Sequence, residues 1–353
     1  MLFGINESNT MVAVEEMHVP AHLAESFEGI VALGNNQAEK LYEEVINAQG
    51  EFAVKLQRGI SSGRLQEACE EIIQEGAFSN FISKVKEMFK KLWAAIKALF
   101  AKFIAWIDTK IKSDKDFIAK YKQILSKKSS EVSDMEYKGH NWGTFDVGKE
   151  SENLKKTAEE TKKEGEKAAE KVEEATKDAG DKDKAPEQSA KPANEADESP
   201  SKDGSDREAL IAAAIKEMAR GAGVKESDEP ADVASDYREK LYGGSVEAES
   251  MTGPDVSKLI NVVETYEKDK AAANKIFQAT DKGYNSTIRA LEKAERAALK
   301  STEVDFSSST ALAVAKAKAS LHNQLVGIYL AALKDRRDEA RSVLAKVITY
   351  KKK

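Results

Sequence analysis

The chain has 353 residues, a formal net charge of −6, 33% charged residues and only 7% aromatics. That length accommodates two modest domains, and a composition rich in Lys, Glu and Ala with six prolines favours long helices. A single cysteine, Cys69, excludes an internal disulfide framework and fits a reducing compartment. The first residues carry no basic segment followed by an apolar run, so no secretory signal is expected. No run of about 18 uncharged apolar residues offers a membrane-spanning helix.

Charge is segregated along the chain. Residues 1–77 hold two Lys and two Arg against thirteen Glu, a local net of −9. Residues 78–125 hold eleven Lys against four acids, a local net of +7. In the acidic segment the pattern turns helical after Pro20. Leu23, Phe27, Ile30 and Val31 share one face, and Leu41, Val45 and Ile46 repeat the spacing. Gly34-Asn35-Asn36 reads as a break between two helices, and Gly59 to Gly63 as another. A short helix follows through Leu65, Ile72 and Ile73, with Cys69 as a small hydrophobe on its apolar face and Gly76 at its end.

Residues 78–112 carry the strongest signal. On a helical wheel Phe81, Val85, Phe89, Leu92, Trp93, Ile96, Phe100, Phe103, Trp106 and Ile107 fall within an arc of about 140°. Lys84, Lys90, Lys91, Lys97 and Lys102 take the other side. Uninterrupted, this helix is about 50 Å long, and its apolar face cannot stay in water. Three covers are open: other helices of this chain or of its copies, a membrane interface, and nucleic acid drawn to the lysine face. Lysines without arginine would attract phosphates without reading bases. Ser113-Asp114 reads as a cap before a continuation through Phe117, Ile118, Tyr121 and Leu125. Met135, Tyr137, Trp142, Phe145 and Val147, spaced by glycines, suggest a small hairpin or strap. There His140 and Trp142 are either a recognition patch or surface packing.

Residues 149–206 are a low-complexity run of Lys, Glu, Ala, Asp and Ser. Its first half has helical Glu/Lys spacing but little apolar surface to bury, and its second half carries three prolines. The whole reads as a disordered linker. Residues 207–353 return to helical patterning. Short helices over 207–220 and 231–242 end at Gly221 and at Gly243-Gly244. A long helix from Thr252-Gly253-Pro254 to about Lys300 is followed by a last one from Ser307 to Tyr350. Joined by a short loop, these two form an antiparallel hairpin. His322 lies in the last helix between Leu321 and Leu325 as a packed or surface residue. The fold class expected is all-α, divided into segments 1–77, 78–148, 149–206 and 207–353.

No His/Cys cluster has metal-ligand spacing, and no glycine-rich phosphate loop or nucleophile elbow occurs. The expectation is a non-enzymatic protein without cofactor or metal.

The stretch FSNFISKVKEMFKKLWAAIKALFAKFIAWIDTKIKSDKDFIAKYKQIL, the strap with Tyr137-Lys138-Gly139 and the end EARSVLAKVITYKKK resemble structural proteins of large tailed bacteriophages. The resemblance covers about half the chain. It implies a virion component inside the head, made in the host cytoplasm, whose partners are other virion proteins or its own copies. It also implies processing by a prohead protease that cuts after Glu with a small or aliphatic residue two positions earlier. Ile73-Gln74-Glu75, followed by Gly76, fits that pattern, with Ser245-Val246-Glu247 a weaker match and an ordinary helix end the alternative. Cleavage there would remove the acidic segment, which could otherwise mask the amphipathic helix. The alternative function is a membrane-active protein whose 78–112 helix inserts into a bilayer interface.

Overall fold

A computed structural model describes residues 26–64, 67–68, 71, 77–132, 135–140, 145–177, 201–243, 247–250, 252–298 and 309–351. The chain is all-α. In order come α1 (Phe27–Ser61), α2 (Ala77–Lys128), β1 (Glu136–Gly139), α3 (Val147–Lys177), α4 (Ser201–Ala222), α5 (Pro230–Tyr242), β2 (Glu247–Ser250), α6 (Gly253–Glu264), α7 (Tyr266–Ala298) and α8 (Ser309–Thr349).

Ser26 caps α1 by accepting a hydrogen bond from the Gly29 amide at 2.8 Å. The helix then runs unbroken through Gly34-Asn35-Asn36, which was expected to be a break. Packing explains Gly34: a Cβ there would lie 2.3 Å from Ala95 Cβ, so glycine lets α1 and α2 approach closely. The helix ends where expected, with Gly63 at φ +69°.

Helix α2 is 52 residues long, about 78 Å at 1.5 Å per residue. Ser113-Asp114 does not interrupt it. Asp114 is instead 3% exposed and faces arginines of α8.

The largest departure is α3. Residues 149–177 are a packed helix and not part of a disordered linker. Asp146 caps it through the amides of Gly148 and Lys149. Its buried stripe is Ser151, Leu154, Thr157, Ala158, Thr161, Ala168, Ala169 and Val172. These side chains are small, so the stripe offers little apolar area. Small side chains also let backbones approach. A Cβ on Gly165 would lie 2.2 Å from Thr287 Oγ1 of α7. Residues 178–200 lie outside the described residues.

Helix α4 begins at Ser201, inside the expected linker, and runs through Gly221, its expected end, to Ala222, with Gly223 at φ 70° beyond it. The end of α5 and the start of α6 follow the expected signals. Gly243 ends α5 at φ 70°, and Thr252 begins α6 with a capping box to Asp255. The single helix expected from 252 to 300 is broken at Thr265, whose φ of −90° and ψ of 22° turn the chain from α6 into α7. Helices α7 and α8 run antiparallel, with Asp269 beside Arg337 and Thr280 beside His322. They meet through these side chains, while the close backbone approach of α7 is to α3.

β1 pairs antiparallel with β2, Tyr137 opposite Glu249. The strap is therefore closed by a strand over a hundred residues away and not by a local hairpin.

One buried cluster draws on α1, α2, α3, α4, α5, α7 and α8, so segments treated separately in the sequence share a core. A second cluster joins the C-terminal ends of α2 and α8 to α6 through Phe117, Leu125, Val256, Val263, Leu344 and Val347.

Candidate functional site

The amphipathic face of α2 lies at the centre of the main core. Phe81, Val85, Phe89, Leu92, Ile96, Phe100, Phe103 and Ile107 are each at most 2% exposed. Trp93 and Trp106 are half-buried at its edges. Helix α1 covers one flank, with Phe27 edge-on to Phe103 at 6.1 Å. Helix α7 covers another, with Phe277 5.1 Å from Phe100. The Trp93 indole N–H donates to Asp281 at 3.0 Å, which satisfies its one donor. The face is thus covered by the chain itself.

The lysines opposite this face have intrachain surroundings. Lys84 pairs with Glu44 at 2.8 Å and Lys91 with Glu87 at 3.6 Å. The Lys97 ammonium sits 3.7 Å from the Trp93 ring centre. Lys90 is half-buried. Lys102 lines a 380 Å³ cavity with Glu28, Trp106 and Asp335.

Two buried polar clusters escaped the sequence reading. The first lies between the two apolar clusters. Arg337 of α8 is 1% exposed. Its guanidinium donates to Asp269 Oδ2 at 3.0 Å and to the Val263 carbonyl at 2.9 Å, and it lies 3.6 Å from Asp114. Arg341 adds a contact to Asp114 at 3.5 Å and stacks over Phe117. Burial pushes both carboxyls above the usual range, opposed by the arginines. The signal was an Arg on the apolar side of α8, and an Asp that continues the apolar stripe of α2.

The second cluster surrounds His322, which is fully buried. Thr157 Oγ1 of α3 lies 2.9 Å from its Nδ1, and Thr280 Oγ1 of α7 lies 2.8 Å from its Nε2. Burial pulls its pKa down to about 3, so the ring is neutral. Beside it, Asn323 accepts from the Tyr284 hydroxyl at 2.9 Å and donates to the Leu92 carbonyl at 3.1 Å. Four helices meet at these two adjacent residues. Of the two positions expected for His322, packed or surface, the structure gives the packed one.

The strap brings a third group together. His140 Nδ1 is 2.8 Å from Glu339 Oε2, and its backbone amide donates to Glu339 Oε1 at 2.7 Å. The His140 ring meets Tyr242 edge-on at 5.0 Å. Tyr242 donates to Asp335 at 2.8 Å, and burial raises its pKa. This arrangement fastens the strap and the end of α5 to α8. Trp142, expected with His140 to form either a recognition patch or surface packing, lies outside the described residues. So do Cys69 and the cleavage candidates Ile73-Gln74-Glu75-Gly76 and Ser245-Val246, while Glu247 begins β2.

Among the described residues no group of His, Cys, Asp or Glu is placed to hold a metal ion. None of the described helices is long and apolar enough to cross a membrane. In comparisons with protein-family models, curated proteins and solved structures, the chain matches none.

Proposed function

We propose that this protein is a non-enzymatic structural component of a large tailed-phage virion, placed inside the head and working through rigid helical packing. The observation that carries the structural part is the burial of the amphipathic face of α2, with only Trp93 and Trp106 half-buried at its edges, along a helix of about 78 Å. Two layers of buried polar contacts, one at Arg337 and one at the adjacent His322 and Asn323, tie neighbouring helices to this scaffold and set their register. The phage part rests on the sequence resemblance. Partners are then other virion proteins or copies of the chain, which meet its charged outer faces.

Membrane insertion by residues 78–112 is the second reading. It requires Phe81, Phe89, Leu92, Ile96 and Phe103 to leave a core in which each is at most 2% exposed. A synthetic 78–112 peptide should bind anionic lipid vesicles, whereas the intact folded chain should not. Equal binding by the two would favour the membrane reading.

Intact mass and N-terminal sequencing of the protein from purified particles tests the leading reading. Recovery from particles, as a chain starting at Gly76 or at the first residues, supports a virion component, and Gly76 adds processing after Glu75. Absence from particles of a source that expresses the protein would overturn it.

A further inference from the structure

Lys84, Lys90, Lys91, Lys97 and Lys102 of α2 have intrachain partners or half-buried positions, but another basic surface is open. A 600 Å³ groove runs between α3 and α7. Lys155, Lys162 and Lys163 line it from α3, and Lys275 and Lys282 from α7. Two carboxylates, Glu152 and Glu159, also line it, leaving five ammonium groups against two acids in a chain whose net charge is −6.

The packing of the two helices sets the spacing of these charges. Helices α3 and α7 run parallel, because Ser151 donates to the Ala272 carbonyl and Gly165 lies against Thr287 further along. A Cβ on Gly283 would sit 3.2 Å from Lys162 Cβ. In this register Lys155 is level with Lys275, and Lys162 with Lys282. The two rungs are seven residues apart, about 10 Å along the axis. Lys155 lies 3.7 Å from Glu152, and Lys162 lies 3.6 Å from Glu166. Lys163, Lys275 and Lys282 have no ion-pair partner within 4 Å among the described residues, and all three are exposed.

We infer that this groove binds the phosphate backbone of duplex nucleic acid without regard to sequence. Repeated cation rungs suit a polyanion whose charges recur along a line. Its lining has no arginine to read guanine and no aromatic ring on which bases could stack. Besides the charged residues it offers only Gln278 and Ala279, so it lacks an apolar socket to anchor a peptide side chain. The inference does not depend on the virion reading.

The test is fluorescence anisotropy of the full chain with a labelled duplex of about 25 base pairs across a salt series. Neutralising about four phosphates gives a log–log salt slope of about −3 to −4. The pair Lys275→Glu/Lys282→Glu should weaken binding at least tenfold and flatten the slope by about two. A control pair elsewhere, Lys122→Glu/Lys258→Glu, should change it less than twofold. If charge reversal disturbs folding by circular dichroism, the pair Lys275→Gln/Lys282→Gln gives the same comparison with a threefold or greater loss. The inference is overturned by no salt-dependent duplex binding, by equal losses in groove and control variants, or by polyglutamate binding in place of the duplex.

Discussion

The Arg337 guanidinium lies 3.0 Å from the Asp269 carboxylate, and neither side chain is more than 7% exposed. The pair sits where the main core gives way to the smaller one, with Asp114 on the other side of the guanidinium. Replacing Arg337 by Leu leaves two carboxylates facing an apolar boundary. Urea unfolding should show a loss of about 3–5 kcal/mol, the usual cost of orphaning a buried charge. Adding Asp114→Asn and Asp269→Asn removes the orphaned charges, and the triple variant should regain a large part of that loss. A triple variant no more stable than Arg337→Leu would show that packing, and not charge, is what the arginine supplies.

His322 makes stability depend on acid. The folded pKa of about 3 lies below the ordinary 6.5, so between these values the unfolded chain binds the extra proton. The contribution of a neutral His322 is complete above about pH 6.5 and declines as pH falls toward 3, by a few kcal/mol in all. The two raised carboxyls, Asp114 and Asp269, act in the opposite sense, because the folded state takes up their protons first. Comparing His322→Gln with the unaltered chain isolates the histidine. Their stability difference, measured by urea titration at pH 7, 5 and 4, should shift in favour of the variant as pH falls. A difference constant over that range would mean that the ring is not held neutral.

How much of this was legible depends on side-chain size and on charge. The face from Phe81 to Ile107 was legible because large side chains at helical spacing are unambiguous, and all of it but the half-buried Trp93 and Trp106 is buried. The ends at Gly63, Gly243 and Thr252 were legible because turn and cap chemistry is local. Helix α3 was not. Apart from Leu154 and Val172, its contacts are made by Ser, Thr, Ala and Gly, whose worth comes from close backbone approach that hydrophobicity does not register. Gly34 misled for the same reason. Arg337 and Asp114 were hidden because a charged residue reads as solvated until its partners, from distant segments, are known. The pairing of β1 with β2 has no local signal at all.

The close approach of α3 to α7 can be tested at one contact. A Cβ on Gly165 would meet Thr287 Oγ1 at 2.2 Å and Cγ2 at 3.0 Å. Gly165→Ala should therefore cost about 1–3 kcal/mol through overpacking, even though alanine is the better helix former. Thr287→Ala removes both clashing atoms. In a double-mutant cycle it should recover at least about 1 kcal/mol of the Gly165→Ala loss. Strictly additive losses would place the clash elsewhere.

The last prediction concerns α1 as a cover. Phe27, Ile30, Val31, Tyr42, Val45 and Phe52 are buried from α1, and at about 1.5–3 kcal/mol per large apolar side chain they hold the helix on α2 and α8 by roughly 10 kcal/mol. A cut in the α1–α2 connection should therefore leave α1 in place. With a specific protease site substituted at residues 72–76, the nicked protein should elute as one species from size exclusion and keep its helical signal. Phe27→Ala combined with Val31→Ala empties the contact with Phe103 and Gly327. That change should let the nicked fragment separate, because each large-to-small substitution costs about 1–5 kcal/mol. If the unaltered fragment separates on nicking, α2 is left with an exposed flank around Phe103. Removal of the acidic segment would then act as a switch, and vesicle binding by the nicked protein would become the decisive assay.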